Sequence, residues 1–195
     1  IGNYSSGKMG YAIAEALSKQ GAEVSLISGP TSIETNDNTI SVYRVQSAEQ
    51  MHSKALELFS EMDGAILSAA VSDFKSNLSH SEKVKRGKEN WMLELEPTKD
   101  IAASLGKVKE NQLLVGFALE TNREVENAKE KINKKNLDFI VLNSLNDQGA
   151  GFQYDTNKVK IIDKENNIVD FELKSKDEVA KDIVDKIIQY THDFS

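Results

Sequence analysis

The sequence predicts an α/β domain of Rossmann-like type, with a mainly parallel sheet, helices on both faces and a C-terminal β-hairpin. Apolar residues recur at helical spacing in several segments, and short β-type runs alternate with those segments along the chain. One run, Ala65-Ile66-Leu67 followed by Ala69-Ala70-Val71, is continuously apolar, as a strand covered on both faces requires. The bulk properties agree. At 195 residues, 39% hydrophobic and 28% charged, the chain suits one domain whose core needs no disulfide. It has no cysteine, which excludes thiolate metal sites and cysteine nucleophiles and suits a reducing cytoplasm. A net charge of −7 argues against non-specific nucleic-acid binding. No apolar run approaches the ~20 residues of a membrane span, and no signal-peptide pattern opens the chain.

Taken in order, Lys8 to Gln20 is the first helix: Met9, Ala12, Ile13, Ala16 and Leu17 share a face, and Gly21 suits its left-handed stop. Glu23 to Ile27 is a strand closed by Ser28-Gly29-Pro30, and Thr39 to Val45 alternates as a second. Ser47-Ala48-Glu49-Gln50 forms a capping box into a helix presenting Met51, Ala55, Leu58 and Phe59. The apolar run at 65–71 follows, then a lysine-rich loop from Ser72 to Asn90. Trp91 to Glu96 alternates as a strand, and Pro97-Thr98 opens a short helix with Asp100 and Ile101 in its first turns.

Leu113 to Ala118 is a strand, Asn122 to Lys135 a helix and Leu137 to Leu142 a strand. Lys158 to Ile162 and Ile168 to Leu173 pair across Asn166-Asn167, which tolerates positive φ. Ser175 to Glu178 caps the last helix, whose apolar positions are Val179, Ile183, Ile187 and Tyr190. Residues 1–195 read as a single domain. A doubly wound domain begins with a strand, so the leading strand is expected to be missing from the sequence given.

Several motifs point to phosphate chemistry. Gly2-Asn3-Tyr4-Ser5-Ser6-Gly7-Lys8 has the G-x-x-x-x-G-K spacing of a phosphate-binding loop, but Met9 stands where Mg²⁺ would need Ser or Thr. What survives is a turn of small residues aiming backbone N–H groups and a helix end at an anion; the alternative is a plain helix cap. Asp73 follows the apolar strand, where open α/β sheets bind ligands, and either accepts from ribose or base or caps the next turn. Lys83-Val84-Lys85-Arg86 with Lys88 either closes over a triphosphate or is a solvated face. Lys129, Lys131, Lys134 and Lys135 favour a helix dipole, and Phe117 either stacks on a base or fills the core.

Tyr154-x-x-x-Lys158 mimics a dehydrogenase pair, but Lys158 begins a strand rather than sharing a helical face with Tyr154. His52, His80 and His192 are scattered, so no zinc site is readable.

In this order the motifs resemble those of one family over about 140 residues. Ile1 to Gly10 is similar to its Asn-x-Ser-Ser-Gly-Lys-Met-Gly segment, and Ser68 to Phe74 to its Ala-Ala-Val-x-Asp strand end. Lys83 to Arg86 resembles its Lys-x-Lys-Lys loop, with Arg86 a departure that keeps the charge. Pro97-Thr98-Lys99-Asp100-Ile101, Val115 to Thr121 and Lys135-Asn136-Leu137-Asp138 complete the set. The family is that of the phosphopantothenoylcysteine synthetases, often the C-terminal half of a bifunctional flavoprotein.

The resemblance implies a ligase of coenzyme A biosynthesis that joins 4′-phosphopantothenate to cysteine through an acyl-cytidylate formed from CTP. Asn3 and Lys83 take the catalytic roles, Asn3 on the acyl carbonyl and Lys83 on the nucleotide phosphates. Ser5, Gly7, Gly10, Ala69, Ala70, Asp73, Pro97, Thr98, Lys99, Asp100, Phe117, Lys131 and Lys135 match nucleotide-binding positions. Mg²⁺ is implied, held mainly by phosphate oxygens, with no protein metal ligand assigned. A cytoplasmic homodimer is implied, with the hairpin region 158–173 a candidate contact. The family's first strand and its Gly-Pro-Thr loop are absent here, as is the flavin-dependent decarboxylase half, so ligation alone is expected. The rival readings are a nicotinamide-dependent oxidoreductase on the same fold and a non-catalytic nucleotide-binding regulator. The oxidoreductase should show Gly-x-Gly-x-x-Gly, where this chain has only Gly7-x-x-Gly10.

Overall fold

The computed structural model describes residues 5–77, 92–120, 122–144 and 155–193. Along them run α1 (Lys8–Lys19), β1 (Val24–Ser28), β2 (Ile40–Arg44), α2 (Ala48–Phe59), β3 (Gly64–Leu67), β4 (Phe74–Ser76), β5 (Leu95–Pro97) and α3 (Ile101–Val108). There follow β6 (Leu113–Glu120), α4 (Glu124–Lys135), β7 (Phe139–Ser144), β8 (Thr156–Asn157), β9 (Val159–Asp163), β10 (Ile168–Asp170), β11 (Lys174–Ser175) and α5 (Lys176–Asp193).

The main sheet has the order β10-β9-β7-β6-β3. β3, β6 and β7 are parallel, and β9 and β10 add an antiparallel hairpin at one edge. Asn166 makes that hairpin's turn with φ at 70°, the freedom expected of the Asn-Asn dipeptide. The period-2 pattern of β6 and β7 sends alternate residues to opposite faces. Leu114, Ala118, Ile140 and Leu142 pack with Ala55 and Phe59 of α2, Leu105 of α3 and Ile132 of α4. Val115, Phe139 and Val141 pack on the other face with Ile13 of α1 and Val179 and Ile183 of α5. The doubly covered α/β architecture is therefore the one observed.

Three local expectations need correction. The strand at 65–71 ends at Leu67, and residues 69–71 form a loop at the sheet's C-terminal rim. β3 is only partly buried because it is the edge strand of the main sheet. Among the described residues 92–96 of the expected strand 91–96, Leu95 and Glu96 are extended, and they pair with β4, which arises within the expected loop 72–90. Pro97 belongs to this ribbon, and α3 begins at Ile101 with Asp100 as its N-cap.

β1 and β2 form a separate parallel pair. An apolar cavity of about 530 Å³, walled by Ile13, Leu17, Val24, Leu26, Phe59 and Ile66, separates β1 from β3.

Where α3 crosses α4, the backbones approach so closely that a Cβ at Gly106 would fall inside contact distance of the Lys135 carbonyl oxygen. Asn136, in the left-handed region at φ 54°, donates from Nδ2 to the Gly106 carbonyl oxygen at 3.0 Å and secures the crossing. Gly106→Ala is expected to cost about 1–3 kcal/mol, because backbone rather than a flexible side chain must move. Chemical denaturation of the two proteins measures it.

Candidate active site

The C-terminal ends of β3, β6 and β7 and the start of α1 meet at a cavity of about 930 Å³, a size suited to a nucleotide-sized ligand. Gly7 caps α1 with φ at 80°, a left-handed conformation that a side chain would strain. Gly7 itself offers no side chain as a cap, Ser6 Oγ accepts the Lys8 N–H at 3.4 Å, and no acidic residue occupies the first turn, so the positive end of the helix faces the cavity. The Thr31 hydroxyl holds the turn by donating to the Ser6 carbonyl oxygen at 2.8 Å. Gly10 brings α1 against the β3 rim, where an added Cβ would meet Ser68 Oγ at 3.0 Å.

Opposite the turn, the loop after β3 carries Ala69, Ala70 and Asp73 along the cavity wall. Thr98 ties this loop to the end of β5, its hydroxyl donating to the Ser72 carbonyl oxygen at 2.6 Å and its N–H to that of Asp73 at 2.9 Å. Phe117, on the rim of β6, is half-buried and lines both cavities. Lys131 reaches the same place from α4, its ammonium 2.5 Å from Glu120 Oε1.

The nucleotide-binding residues expected from sequence thus fall largely together. Ser5, Gly7 and Ala70 line the larger cavity; Gly10, Ala69, Asp73, Thr98, Phe117 and Lys131 line both; Lys99, Asp100 and Lys135 line the smaller. Pro97 lines neither: it pairs with Phe74 in the ribbon, next in the chain to Thr98. Asn3 and Lys83 lie outside the described residues, as does Tyr154.

Asp100 and Lys99 already have structural duties. Asp100 accepts the Ala103 N–H at 3.0 Å and pairs with Lys135 at 3.0 Å, while Lys99 pairs with Glu49 at 2.6 Å. His52 is held by Ser104 at 2.9 Å, a contact between α2 and α3. Among the described residues no three His, Asp or Glu side chains gather into a metal site. Asp73 is the one carboxylate among the described residues that line the larger cavity, the hard oxygen donor a divalent cation on phosphate oxygens would find there.

Sequence reasoning assigned no role to Glu120, Asn143, Asn157 or Lys176. Glu120 orients Lys131, and Asn127 donates to its other oxygen at 3.1 Å. Asn143, at the end of β7, donates to Asn157 Oδ1 at 3.4 Å, and its own buried Oδ1 has no hydrogen-bond partner among the described residues. An acceptor left so beside a cavity is a place for a ligand N–H or O–H. Glu120 lies within the motif Val115 to Thr121 and was findable; the two asparagines meet through the β7–β8 contact, which has no local signal.

Burial pushes the Glu120 carboxyl up, but the bonds from Lys131 and Asn127 outweigh it and hold it below the ordinary glutamate value. A depressed folded value stabilises the fold above the ordinary value, and that stabilisation is lost as pH falls through the depressed one. Wild type is therefore expected to lose stability below about pH 4 more steeply than Glu120→Gln. Melting temperatures of the two proteins from pH 7 to pH 3 test this.

Comparison with known proteins returns one family. The model for the DNA/pantothenate metabolism flavoprotein C-terminal domain matches residues 1–191. A cysteine/cysteine sulfinic acid decarboxylase from an unknown prokaryotic organism is 53% identical over 193 residues, covering 98% of this chain and 54% of that protein. The coenzyme A biosynthesis bifunctional protein CoaBC of Bacillus subtilis (strain 168) is 41% identical over 185 residues, covering 95% and 46%. The chain thus spans about half the length of these relatives. A crystal structure of the C-terminal domain of a CoaBC protein superposes with a TM-score of 0.82 at 35% identity, over 97% of this chain and 85% of the other.

Proposed function

The chain belongs to the family of DNA/pantothenate metabolism flavoprotein C-terminal domains, and on that premise we propose that it is a phosphopantothenate–cysteine ligase acting in coenzyme A biosynthesis. The observation that carries the reading is the convergence of the Gly7 turn, the strand ends at Ala69, Asp73 and Phe117, and Lys131 on one cavity. A carboxylate oxygen of 4′-phosphopantothenate attacks the α-phosphorus of CTP, the bond to the bridging oxygen breaks, and pyrophosphate leaves. The cysteine amine then attacks the acyl carbonyl of the acyl-cytidylate, CMP departs, and the new amide nitrogen loses a proton.

The α1 N-terminus and Lys131 supply positive charge where negative charge moves from carboxylate to pyrophosphate. The Phe117 ring offers a face to the base. Asn3, through its side-chain N–H groups, stabilises the oxyanion of the second step, and Lys83 grips the phosphates. Mg²⁺, when bound, neutralises triphosphate charge. The nicotinamide-dependent rival lacks its glycine fingerprint. We leave the decarboxylation named for the first relative with the half of that protein that lies beyond the match.

The same reading takes the apolar gap between β1 and β3 as the seat of the leading parallel strand, and places the reaction in the cytoplasm, where nucleoside triphosphates are made. It also pairs two copies of the chain. Two exposed apolar edges suit that contact: the β9–β10 hairpin with Ile168 and Val169, and the β4–β5 ribbon with Phe74 and Leu95. A nucleotide panel tests the proposal. Phosphopantothenate-dependent pyrophosphate release with CTP and Mg²⁺ is expected; tight NADPH binding without CTP binding would overturn it.

A further inference from the structure

We propose that Thr31 is a positioning residue of the candidate active site. It holds the peptide between Ser6 and Gly7 so that the N–H, not the carbonyl oxygen, meets a ligand phosphate. The inference rests on the proposed function for the nature of that ligand. Gly7, with φ at 80°, lets the chain turn into α1, but glycine adopts either sign of φ, so the turn alone leaves this peptide free to flip. Thr31 removes that freedom. Its hydroxyl donates to the Ser6 carbonyl oxygen at 2.8 Å and accepts the Ile33 N–H at 3.2 Å. Its side chain lies 3.5 to 3.8 Å from where a Cβ of Gly7 would stand.

A peptide is planar and trans, so a carbonyl fixed on one side sends the N–H out on the other. There the Gly7 N–H has Ser5 Oγ as its partner at 3.4 Å, and the next N–H, that of Lys8, has Ser6 Oγ at 3.4 Å. Both contacts are longer than a normal N–H···O bond, so a phosphate oxygen displaces them readily. Ser5, Ser6, Gly7 and Thr31 all line the larger cavity. Thr31 has a single O–H and Ser6 takes it, so the residue acts through the turn rather than on the ligand. The brace is itself anchored. Tyr11, one turn along α1, donates to Ser28 Oγ at 3.1 Å, and Ser28 donates to the Gly29 carbonyl oxygen at 3.2 Å. A flipped peptide would aim a carbonyl dipole at the phosphate, and apparent affinity falls with the fraction of molecules left competent.

Calorimetric titration of wild type, Thr31→Val, Thr31→Ala and Thr31→Ser with inorganic pyrophosphate, CTP and phosphopantothenate tests the role. Val and Ala each remove the donor, so either decides if the other does not fold. Each is expected to weaken binding roughly 3- to 10-fold, the scale of one hydrogen bond, and Ser to restore it. A loss for pyrophosphate and CTP assigns the turn to the nucleotide; a loss confined to phosphopantothenate assigns it to that phosphomonoester. Labelling serine carbonyl carbons with ¹³C and glycine with ¹⁵N selects two amides, Gly7 and Gly29, the glycines that follow a serine. The Gly7 signal is expected to broaden or double in Thr31→Val and to return to one in Thr31→Ser. Binding weakened equally in Thr31→Ser overturns the proposal, as does unchanged affinity with an unchanged Gly7 signal in Thr31→Val and Thr31→Ala. Wild type that binds pyrophosphate with this dependence on Thr31, yet releases none from CTP and phosphopantothenate, would remove the ligase reading and leave the brace standing.

Discussion

Lys131→Ala is expected to lower kcat/KM for CTP by roughly 100-fold, the scale of losing one preorganised charge from a site where negative charge develops. Lys131 projects from α4 to the rim of β6, lines both cavities and is 40% exposed at its side chain, so a phosphate can reach it. Its pairing with Glu120 at 2.5 Å fixes the ammonium before the ligand arrives, which is the condition for preorganisation. Glu120→Gln should therefore give a smaller loss, about 10-fold, because the charge remains but is no longer held. Steady-state kinetics on the two variants check the order. Equal losses would mean that Glu120 itself touches the ligand, and no loss in Lys131→Ala would remove that lysine from the site.

The largest effect on stability is expected at the other end of the same strands. Asp138 and Lys109, each only 9% exposed at its side chain, pair at 2.6 Å, and Asp138 Oδ2 also accepts the Leu114 N–H at 2.7 Å. Lys164 stands 3.8 Å from the second carboxylate oxygen. Asp138→Ala would strand a buried ammonium and a buried backbone donor together, a loss of about 3–5 kcal/mol. For a chain of 195 residues this lowers the melting temperature by roughly 10 °C. Replacing both partners, Lys109→Met with Asp138→Leu, should recover much of the loss but not all, since Leu114 still lacks its acceptor. Thermal unfolding of the single and double variants measures both. This pair fixes β6 and β7 at their N-terminal ends, and so supports Phe117, Glu120 and Asn143 at the opposite rim.

What could be read from sequence follows from where local pattern and tertiary environment coincide. The face of α1 formed by Met9, Ile13 and Leu17 was legible because one side of that helix is buried against α5 and the sheet. The β9–β10 hairpin was legible because its turn dipeptide carries its own conformational preference. The apolar run from Ala65 to Val71 misled because periodicity cannot mark where a short apolar segment leaves its sheet. Its last three residues bend over the cavity instead.

The ribbon of Phe74–Ser76 and Leu95–Pro97 was misread for a different reason. It is exposed throughout, so its alternation reports no core. At the site, ordered motifs located the turn, the strand ends and the α4 lysines. Lys176 was visible only as part of a capping box, because its burial depends on Asp155 and α1, both distant in sequence.

Transfer of a labelled oxygen reaches the chemistry most directly. With phosphopantothenate carrying ¹⁸O in its carboxylate, the first step leaves one carboxylate oxygen bonded to the α-phosphorus, and amine attack then releases it within CMP. Mass spectrometry of the products is expected to find one ¹⁸O atom in CMP for each phosphopantothenoylcysteine formed. Label in orthophosphate, or unlabelled CMP accompanying product, would contradict attack at the α-phosphate and the acyl-cytidylate with it.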